Sequence, residues 1–354
     1  MRIGYTFWGF LGAGPVGSTD SGRGWRRPLI DSLAARGHQV VFLQMDRDLL
    51  ETGTALPSSR TGAGAGTGAG AGPAPGYRWD VGLPDLDALV LEWRWLVPGR
   101  NSSMCGRPGH SCDLHRQNEL LAGYTDRGVP TVIWDLHRRL PADDPLRRRA
   151  DVVVCEPSAT PEPGAVTLYP PVPDADLDAA DPSALAGPDR DLNLVFVGDH
   201  HPDRDAAFLR FFAPAAKDHD HLVVGTWPEA DRWPWIRTTP RVGRAEAVAL
   251  HRRSLATVLL ASERHSRAGH LTYRLPEAVL NGCLPISPVR PGHPRPPTPA
   301  ALHVSSATQT SDLLFDLARA DHGRRAELLA ECLAHLEPLR LSRQLSVFEG
   351  LLGG

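Results

Sequence analysis

Hydrophobic positions in this chain come in short unbroken runs, separated by stretches with helical spacing. Residues 2–8 (RIGYTFW) form one such run and residues 39–44 (QVVFLQ) another. Apolar runs of this length bounded by turn residues read as buried strands. Between them Trp25, Leu29, Ile30 and Leu33 recur at the spacing that lines one helix face. Arg36-Gly37-His38 closes that helix, with Gly37 suited to the left-handed residue that ends many helices. Strand, loop, helix and strand have the length of a right-handed parallel crossover. Further strands are predicted at 87–91 (DALVL), 129–134 (VPTVIW) and 151–155 (DVVVC), with a helix over 114–124.

A second set follows. Strands are predicted at 192–197 (LNLVFV), 221–224, 256–261 and 283–286, helices at 205–212, 244–253 and 275–280, and a mostly helical tail from about Ser311. Strands alternating with helices in both halves predict an α/β protein of two doubly wound, Rossmann-like domains. Residues 1–175 make the first domain and 190–335 the second, with a C-terminal helix in 336–354 expected to pack back on the first. The Pro-, Asp- and Ala-rich stretch 170–190 is the expected connection. Residues 62–76 (GAGAGTGAGAGPAPG) lack large apolar groups to offset ordering entropy, and read as a mobile surface insertion.

Composition narrows the class. A length of 354 residues with 42% hydrophobic content suits two cores. A net charge of -3 excludes a strongly basic nucleic-acid binder by bulk charge, while leaving room for a local basic face. No apolar run reaches the length of about 18–20 residues that spans a bilayer, so no membrane partner is expected. No signal-peptide pattern is evident. Five cysteines do not make a disulfide framework in a chain this long. The expected compartment is a reducing cytoplasm. No heptads indicate an oligomeric state.

Several clusters could carry chemistry. Gly12, Gly14 and Gly17, with Ser18 after them, precede the first helix, where backbone N–H groups can meet a phosphate. Their spacing is not the dinucleotide fingerprint, and an ordinary connecting loop accounts for them equally. Asp135 ends a strongly apolar strand. It could take a proton from an acceptor hydroxyl, or simply cap the next turn and pair with Arg138 or Arg139. In 269–285 (GHLTYRLPEAVLNGCLP), Arg274 and Glu277 share a helix face near its start. A guanidinium there suits a diphosphate and a carboxylate suits ribose hydroxyls, although a plain intrahelical ion pair has the same spacing. Arg138, Arg139, Arg147, Arg148 and Arg149, and separately Arg264, His265 and Arg267, could meet phosphates. Trp93 and Trp95 could hold a displaced base beside them. A solvated surface has the same composition. Cys105, His110, Cys112 and His115 are zinc-ligand types, but their spacing matches no finger, and no metal site is assigned.

The order of strand, Gly-rich loop, helix, "ARGH" and a late R-x-x-E-A-x-x-x-G-C-L-P resembles the GT-B glycosyltransferases over essentially the whole chain. A narrower likeness is to the DNA β-glucosyltransferases of T-even phages. Asp135 with Arg139-Leu140-Pro141 is similar to their strand-end aspartate and the Arg-Leu-Pro after it. Phe196-Val197-Gly198 followed by Arg204 is similar to their phosphate-binding segment. Trp235 through Val242-Gly243-Arg244 is similar to their Trp and uracil-binding turn. Leu271-Thr272-Tyr273-Arg274-Leu275-Pro276-Glu277 is similar to their T-L-R-x-x-E helix, with one residue inserted before the Arg. Where that family has two arginines after the Gly-rich strand end, this chain has Arg204, shifted by about one position, and His200 or His201. His137 and Arg138 are extra residues after Asp135.

The resemblance implies a GT-B fold with two Rossmann-like domains facing a central cleft, and sugar transfer from a nucleotide-sugar, a UDP-sugar, to a hydroxyl. It implies Asp135 as general base and an inverting displacement. Donor contacts would come from Gly17, Ser18, Gly198, His201, Arg204, Gly243, Arg244, Ala245, Arg274 and Glu277. From the residues themselves, rather than from the resemblance, acceptor contacts would come from Trp93, Trp95, Arg138 and Arg139. Mg2+ is compatible with this reading and not required by it. The acceptor it implies is 5-hydroxymethylcytosine in double-stranded phage DNA, which places the protein in a bacterial or phage-infected cytoplasm. A bacterial enzyme acting on a protein, a spore component or a small natural product is an alternative. A non-catalytic nucleotide-sugar or nucleic-acid binding module is another.

Overall fold

A computed structural model describes residues 1–7, 25–43, 77–96, 101, 102, 104, 113–187 and 189–353. The insertion 62–76 and the loop with Gly12, Gly14, Gly17 and Ser18 lie outside them. The chain divides into two compact units. One comprises Met1–Glu156, Pro161–Leu168 and Leu345–Gly354, and the other Pro157–Thr160 and Tyr169–Gln344.

The first unit is built on a seven-stranded sheet: β1 (Arg2–Thr6), β2 (Gln39–Phe42), β3 (Tyr77–Trp79), β4 (Ala88–Glu92), β5 (Thr131–Trp134), β6 (Val152–Glu156) and β7 (Ala165–Thr167). Their order is β3-β2-β1-β4-β5-β6-β7, and every pairing is parallel. β4 is buried at all five positions, as a strand covered on both faces should be. The helix Arg26–Ala35 returns the chain from β1 to β2 and buries Leu29, Ile30 and Leu33. It stops where Gly37 takes φ +85°, letting the His38 N–H reach the Leu33 carbonyl. The helix Asp113–Thr125 leads into β5 and buries Leu120, Leu121 and Tyr124. The chain's last helix, Leu341–Leu352, brings Phe348 against Trp134 with ring centroids 6.3 Å apart.

The second unit has six parallel strands: β8 (Leu192–Val197), β9 (His221–Val224), β10 (Thr238–Thr239), β11 (Ser254–Val258), β12 (Leu284–Pro288) and β13 (His303–Val304). Their order is β10-β9-β8-β11-β12-β13. Leu194, Phe196 and Val223 pack with Phe208, Phe211 and Phe212. The helix expected over 205–212 is a single α turn, Asp205–Ala207, passing into a π turn, Phe208–Phe212. That wider turn buries three of its phenylalanines together. Residues 170–190, expected as a connection, instead carry two short helices of this unit, Asp174–Asp178 and Pro182–Ala186. Pro182 opens the second, Asp181 accepts the Ser183 N–H at 2.9 Å, and Leu177 and Ala186 are buried, so local capping and burial offset the ordering cost.

In each sheet the strand order reverses once, between β1 and β4 and between β8 and β11. A crevice opens at the carboxyl ends of such strands, where ligands of open α/β sheets bind. Among the described residues no helix is long and apolar enough to cross a membrane.

Candidate active site

At the carboxyl end of β8 the chain turns sharply. Gly198 has φ +154°, and a Cβ there would stand 2.3 Å from Nη2 of Arg274. Gly225, at the end of β9, has φ +147°, and its Cβ would stand 2.4 Å from the Gly198 carbonyl oxygen. Two glycines thus let two strand ends and one guanidinium share a space that side chains would fill. Arg274 begins the helix Arg274–Val279, donates from Nε to the Val197 carbonyl at 3.0 Å and lies 5.1 Å from the Phe196 ring centroid. It is partly exposed by area, yet burial chiefly, and then Arg204, push its guanidinium down to about 9, with Glu277 opposing. That still leaves the cation intact at neutral pH.

Arg204 comes from the short turn Pro202–Arg204 beyond β8. Burial holds its pKa below the ordinary arginine value, and Nη1 is buried with no hydrogen-bond partner among the described residues. A buried N–H of a cation without an acceptor is costly, and a phosphate oxygen would remove that cost. His201 exposes much of its surface, but crowding around its ring, with Arg204 and Arg274 nearby, pushes it down to about 4. It is therefore neutral at pH 7, so the position nearest the second expected arginine offers a hydrogen bond but no charge. His200 is engaged by Asp205 at 2.7 Å.

Gly243 starts the helix Arg244–Arg253, whose N-terminus has no side-chain cap, and Arg244 and Ala245 are exposed on its first turn. Such a terminus presents N–H groups and a positive dipole to an acceptor. Glu277 sits in the first turn of its own helix, partly buried, near Tyr273 and Arg274. Trp235, paired with this turn by sequence likeness, lies elsewhere. Its ring is 4.6 Å from the Lys217 ammonium and it lines a cavity of about 530 Å3 with Asn193, the second residue of β8, and His221, the first of β9. That is the amino edge of the sheet, opposite the arginine pair.

In the first unit Asp135 directly follows β5 and is fully buried. Its carboxylate accepts the Leu140 N–H at 2.6 Å and the His137 N–H at 3.3 Å. Burial pushes its carboxyl above the ordinary range; the backbone N–H groups of Arg139, Leu140 and His137 pull it back, and the nearby Glu156 adds to the rise. The loop it caps contains Arg138, a non-glycine residue at φ 51°.

The expected acceptor contacts divide. Arg138 does not face solvent: it ion-pairs with Glu156 at 2.7 Å and with Glu162, and its side chain is 9% exposed. Arg147 likewise reaches Glu156 at 2.9 Å. Glu156, buried at the end of β6, draws both arginines inward, with Glu162 on the following loop also holding Arg138, and sequence spacing gives no sign of it. Arg139, in contrast, lies over Trp95 at 5.5 Å, and the Trp95 and His137 rings are 4.8 Å apart. Trp93 packs against the Ile133 and Leu140 cluster, so it is a wall more than a contact surface. Of the second basic cluster, Arg267 pairs with Glu263 at 3.0 Å and His265 is buried, stacked on His270. Sequence spacing also missed a buried pair at the carboxyl end of the central strand β4, where Arg26 grips Glu92 through Nε and Nη2 and Tyr5 donates to the same carboxylate at 3.0 Å. Among the described residues no group of three or more His, Cys, Asp or Glu could hold a metal ion, and Cys105, His110 and Cys112 lie outside them.

No protein-family model and no curated protein matches this sequence. Solved structures do match. The T4 phage β-glucosyltransferase in complex with its UDP-glucose substrate superposes with a TM-score of 0.59 at 12% identity over 100% of both chains. An α-glucosyltransferase in complex with UDP and a 13-mer DNA gives 0.58 at 11% identity, again over 100% of both. A glycosyltransferase of avilamycin A biosynthesis gives 0.53 at 14% identity, over 99% of this chain and 96% of that one. The fold is therefore that of the GT-B glycosyltransferases, and the chain resembles the phage DNA glucosyltransferases end to end.

Proposed function

We propose that the protein is a glycosyltransferase that moves a sugar from a UDP-sugar to an acceptor hydroxyl. The observation that carries this reading is the arginine pair at Gly198. Arg204 and Arg274 meet at a strand end, where Nη1 of Arg204 is buried and has no partner among the described residues, in a fold whose solved examples include complexes with UDP and UDP-glucose. In this reading their charges take up the negative charge that grows on the departing diphosphate. The uncapped turn at Gly243, Arg244 and Ala245 receives the base, Glu277 accepts ribose hydroxyls, and Gly198 and His201 complete the phosphate cradle. Gly17 and Ser18, outside the described residues, are assigned to the donor from the Gly-rich loop sequence before the first helix. Mg2+ would pair with the released diphosphate, and transfer in this reading does not require it.

Asp135 is the proposed base. The acceptor oxygen attacks the anomeric carbon and its proton passes to the Asp135 carboxylate. The bond between that carbon and the β-phosphate oxygen breaks, its electron pair leaving with UDP. One displacement inverts the anomeric centre. A carboxyl raised by burial suits a base that must hold a proton only briefly near neutral pH.

The acceptor we favour is a hydroxymethylated cytosine in double-stranded DNA. Two neighbours of this fold are a DNA-modifying β-glucosyltransferase and an α-glucosyltransferase bound to a 13-mer DNA, and Arg139 with Trp95 offers a cation and an aromatic face. A small natural product is the second reading, favoured by the inward turn of Arg138 and Arg147 and by the avilamycin neighbour. Arg274→Ala tests the donor site. It should weaken UDP binding by about 2 kcal/mol, roughly thirtyfold in Kd, by calorimetric titration; unchanged affinity would remove the proposed site.

A further inference from the structure

Glu156, which the reading above does not use, ends β6 just where Asp135 follows β5. The two strands are in register at Trp134 and Cys155, and the Asp135 N–H donates to the Cys155 carbonyl at 2.8 Å. The carboxylates are therefore the next residues along neighbouring strands. Glu156 is fully buried, a state that carboxylates adopt only when paired. Its two oxygens are divided between two arginines. Oε2 accepts from Arg138 at 2.7 Å and from the Glu162 N–H at 3.2 Å, while Oε1 accepts from Arg147 at 2.9 Å.

Those arginines hold opposite ends of one loop. Arg138 sits inside it at φ 51°, a backbone state costly for a non-glycine residue, and is retained there by Glu156 and Glu162. Arg147 donates from Nε to the Pro141 carbonyl at 2.9 Å and from Nη2 to the Leu140 carbonyl at 3.1 Å. Next to these anchors stand the N–H groups that bind the Asp135 carboxylate, His137 just before Arg138 and Leu140 at the Arg147 contact. Glu156 and Glu162 balance Arg138 and Arg147, so the cluster is neutral as a whole.

We infer that Glu156 is a positioning residue for sugar transfer: through Arg138 and Arg147 it locks the 136–141 loop, and that loop fixes the orientation of the Asp135 carboxylate. This rests on Asp135 as the base. Held this way, the carboxylate has one orientation before acceptor binds, which a loop free to relax would not provide. The ionisable groups around it are Glu156 from β6, His137, Arg138 and Arg139 from the loop, and behind them Arg147 and Glu162. Glu92 on β4 is already claimed by Arg26.

The experiment measures steady-state sugar transfer from UDP-glucose across pH, with UDP affinity by calorimetry as the folding control. Glu156→Gln should lower kcat by about a hundredfold with the donor KM nearly unchanged, as for a misplaced catalytic group. It also leaves the cluster with one excess positive charge, so the acid limb of kcat should move to lower pH, which loss of packing alone would not do. Arg138→Gly relieves the positive φ while removing the clamp, so it is expected to fold and still lose kcat, and Arg138→Lys should restore part of it. Should Glu156→Gln bind no UDP, Arg138→Gly decides. If Asp135→Asn is inactive while Arg138→Gly keeps wild-type kcat, the clamp is wrong and the base stands. If Asp135→Asn itself keeps wild-type kcat, the base assignment fails and the clamp with it.

Discussion

Asp135 closes a turn, and it is the base proposed for sugar transfer. Two consequences follow from its raised pKa, and their signs are opposite. Its folded pKa lies above the unfolded value, because burial disfavours the charged form. The stability it contributes is thus complete below the unfolded pKa and declines as pH rises through the folded one. Activity runs the other way, since only the carboxylate accepts a proton. The kcat of transfer should therefore rise with pH through a limb above the ordinary carboxylate range. Asp135→Asn should abolish turnover and leave UDP affinity near wild type. An ordinary-range limb, or one that persists in Asp135→Asn, would assign the titration to another group. At this scale much was legible in the sequence. Asp135 and Arg274 could be singled out because a polar residue at the end of an apolar run, or at the start of a helix, has a defined place. The destination of Arg138 was not legible, because it depends on Glu156 and Glu162, which reach it only through the sheet and the return of the chain.

Among the elements, long buried runs were readable and short edge strands were not. β1, β2, β4, β5, β6, β8, β9, β11 and β12 arise from apolar runs dense enough to mark a strand by themselves. β3, β7, β10 and β13 span two or three residues each and are held by one neighbour at a sheet edge. Their pairing is decided by tertiary context, so hydrophobic pattern alone misses them. The Asn281-Gly282-Cys283 turn is likewise fixed by tertiary contacts that hydrophobic pattern does not show. Gly282 has φ +72°, and a Cβ there would stand 2.4 Å from the Leu185 carbonyl oxygen and 2.5 Å from Nη2 of Arg190. Arg190 spends its guanidinium on backbone carbonyls, bonding Leu185 at 2.6 Å and reaching Arg252 and Asn281. It thereby satisfies carbonyls where two helices end. Gly282→Ala should cost about 3 kcal/mol, combining left-handed strain with a backbone clash. Thermal unfolding should report this as a loss of roughly 2–4 °C per kcal/mol for a unit of this size. An unchanged Tm would mean the turn relaxes freely.

For the molecule as a whole, each unit carries one half of the proposed chemistry on the carboxyl ends of its own parallel sheet. The first holds Asp135 on its neutral clamp beside Trp95 and Arg139; the second holds the arginine pair and the uncapped Gly243 turn. The likeness to solved glycosyltransferases runs over 96% or more of each chain at 11–14% identity, so fold persists where few side chains are shared, and chemistry has to be argued from the strand ends. The decisive measurement is direct. The protein is incubated with UDP-glucose and other UDP-sugars and with two duplexes, one carrying 5-hydroxymethylcytosine and one plain cytosine, and the digested nucleosides are weighed by mass spectrometry while UDP is followed in solution. A hexose-sized mass gain confined to the hydroxymethylated duplex, with matching UDP release that Arg274→Ala and Asp135→Asn suppress, is the predicted result. UDP released with no nucleoside gaining mass would move the acceptor to a small molecule or protein. No UDP released from any donor, together with no measurable UDP binding, would contradict sugar transfer itself.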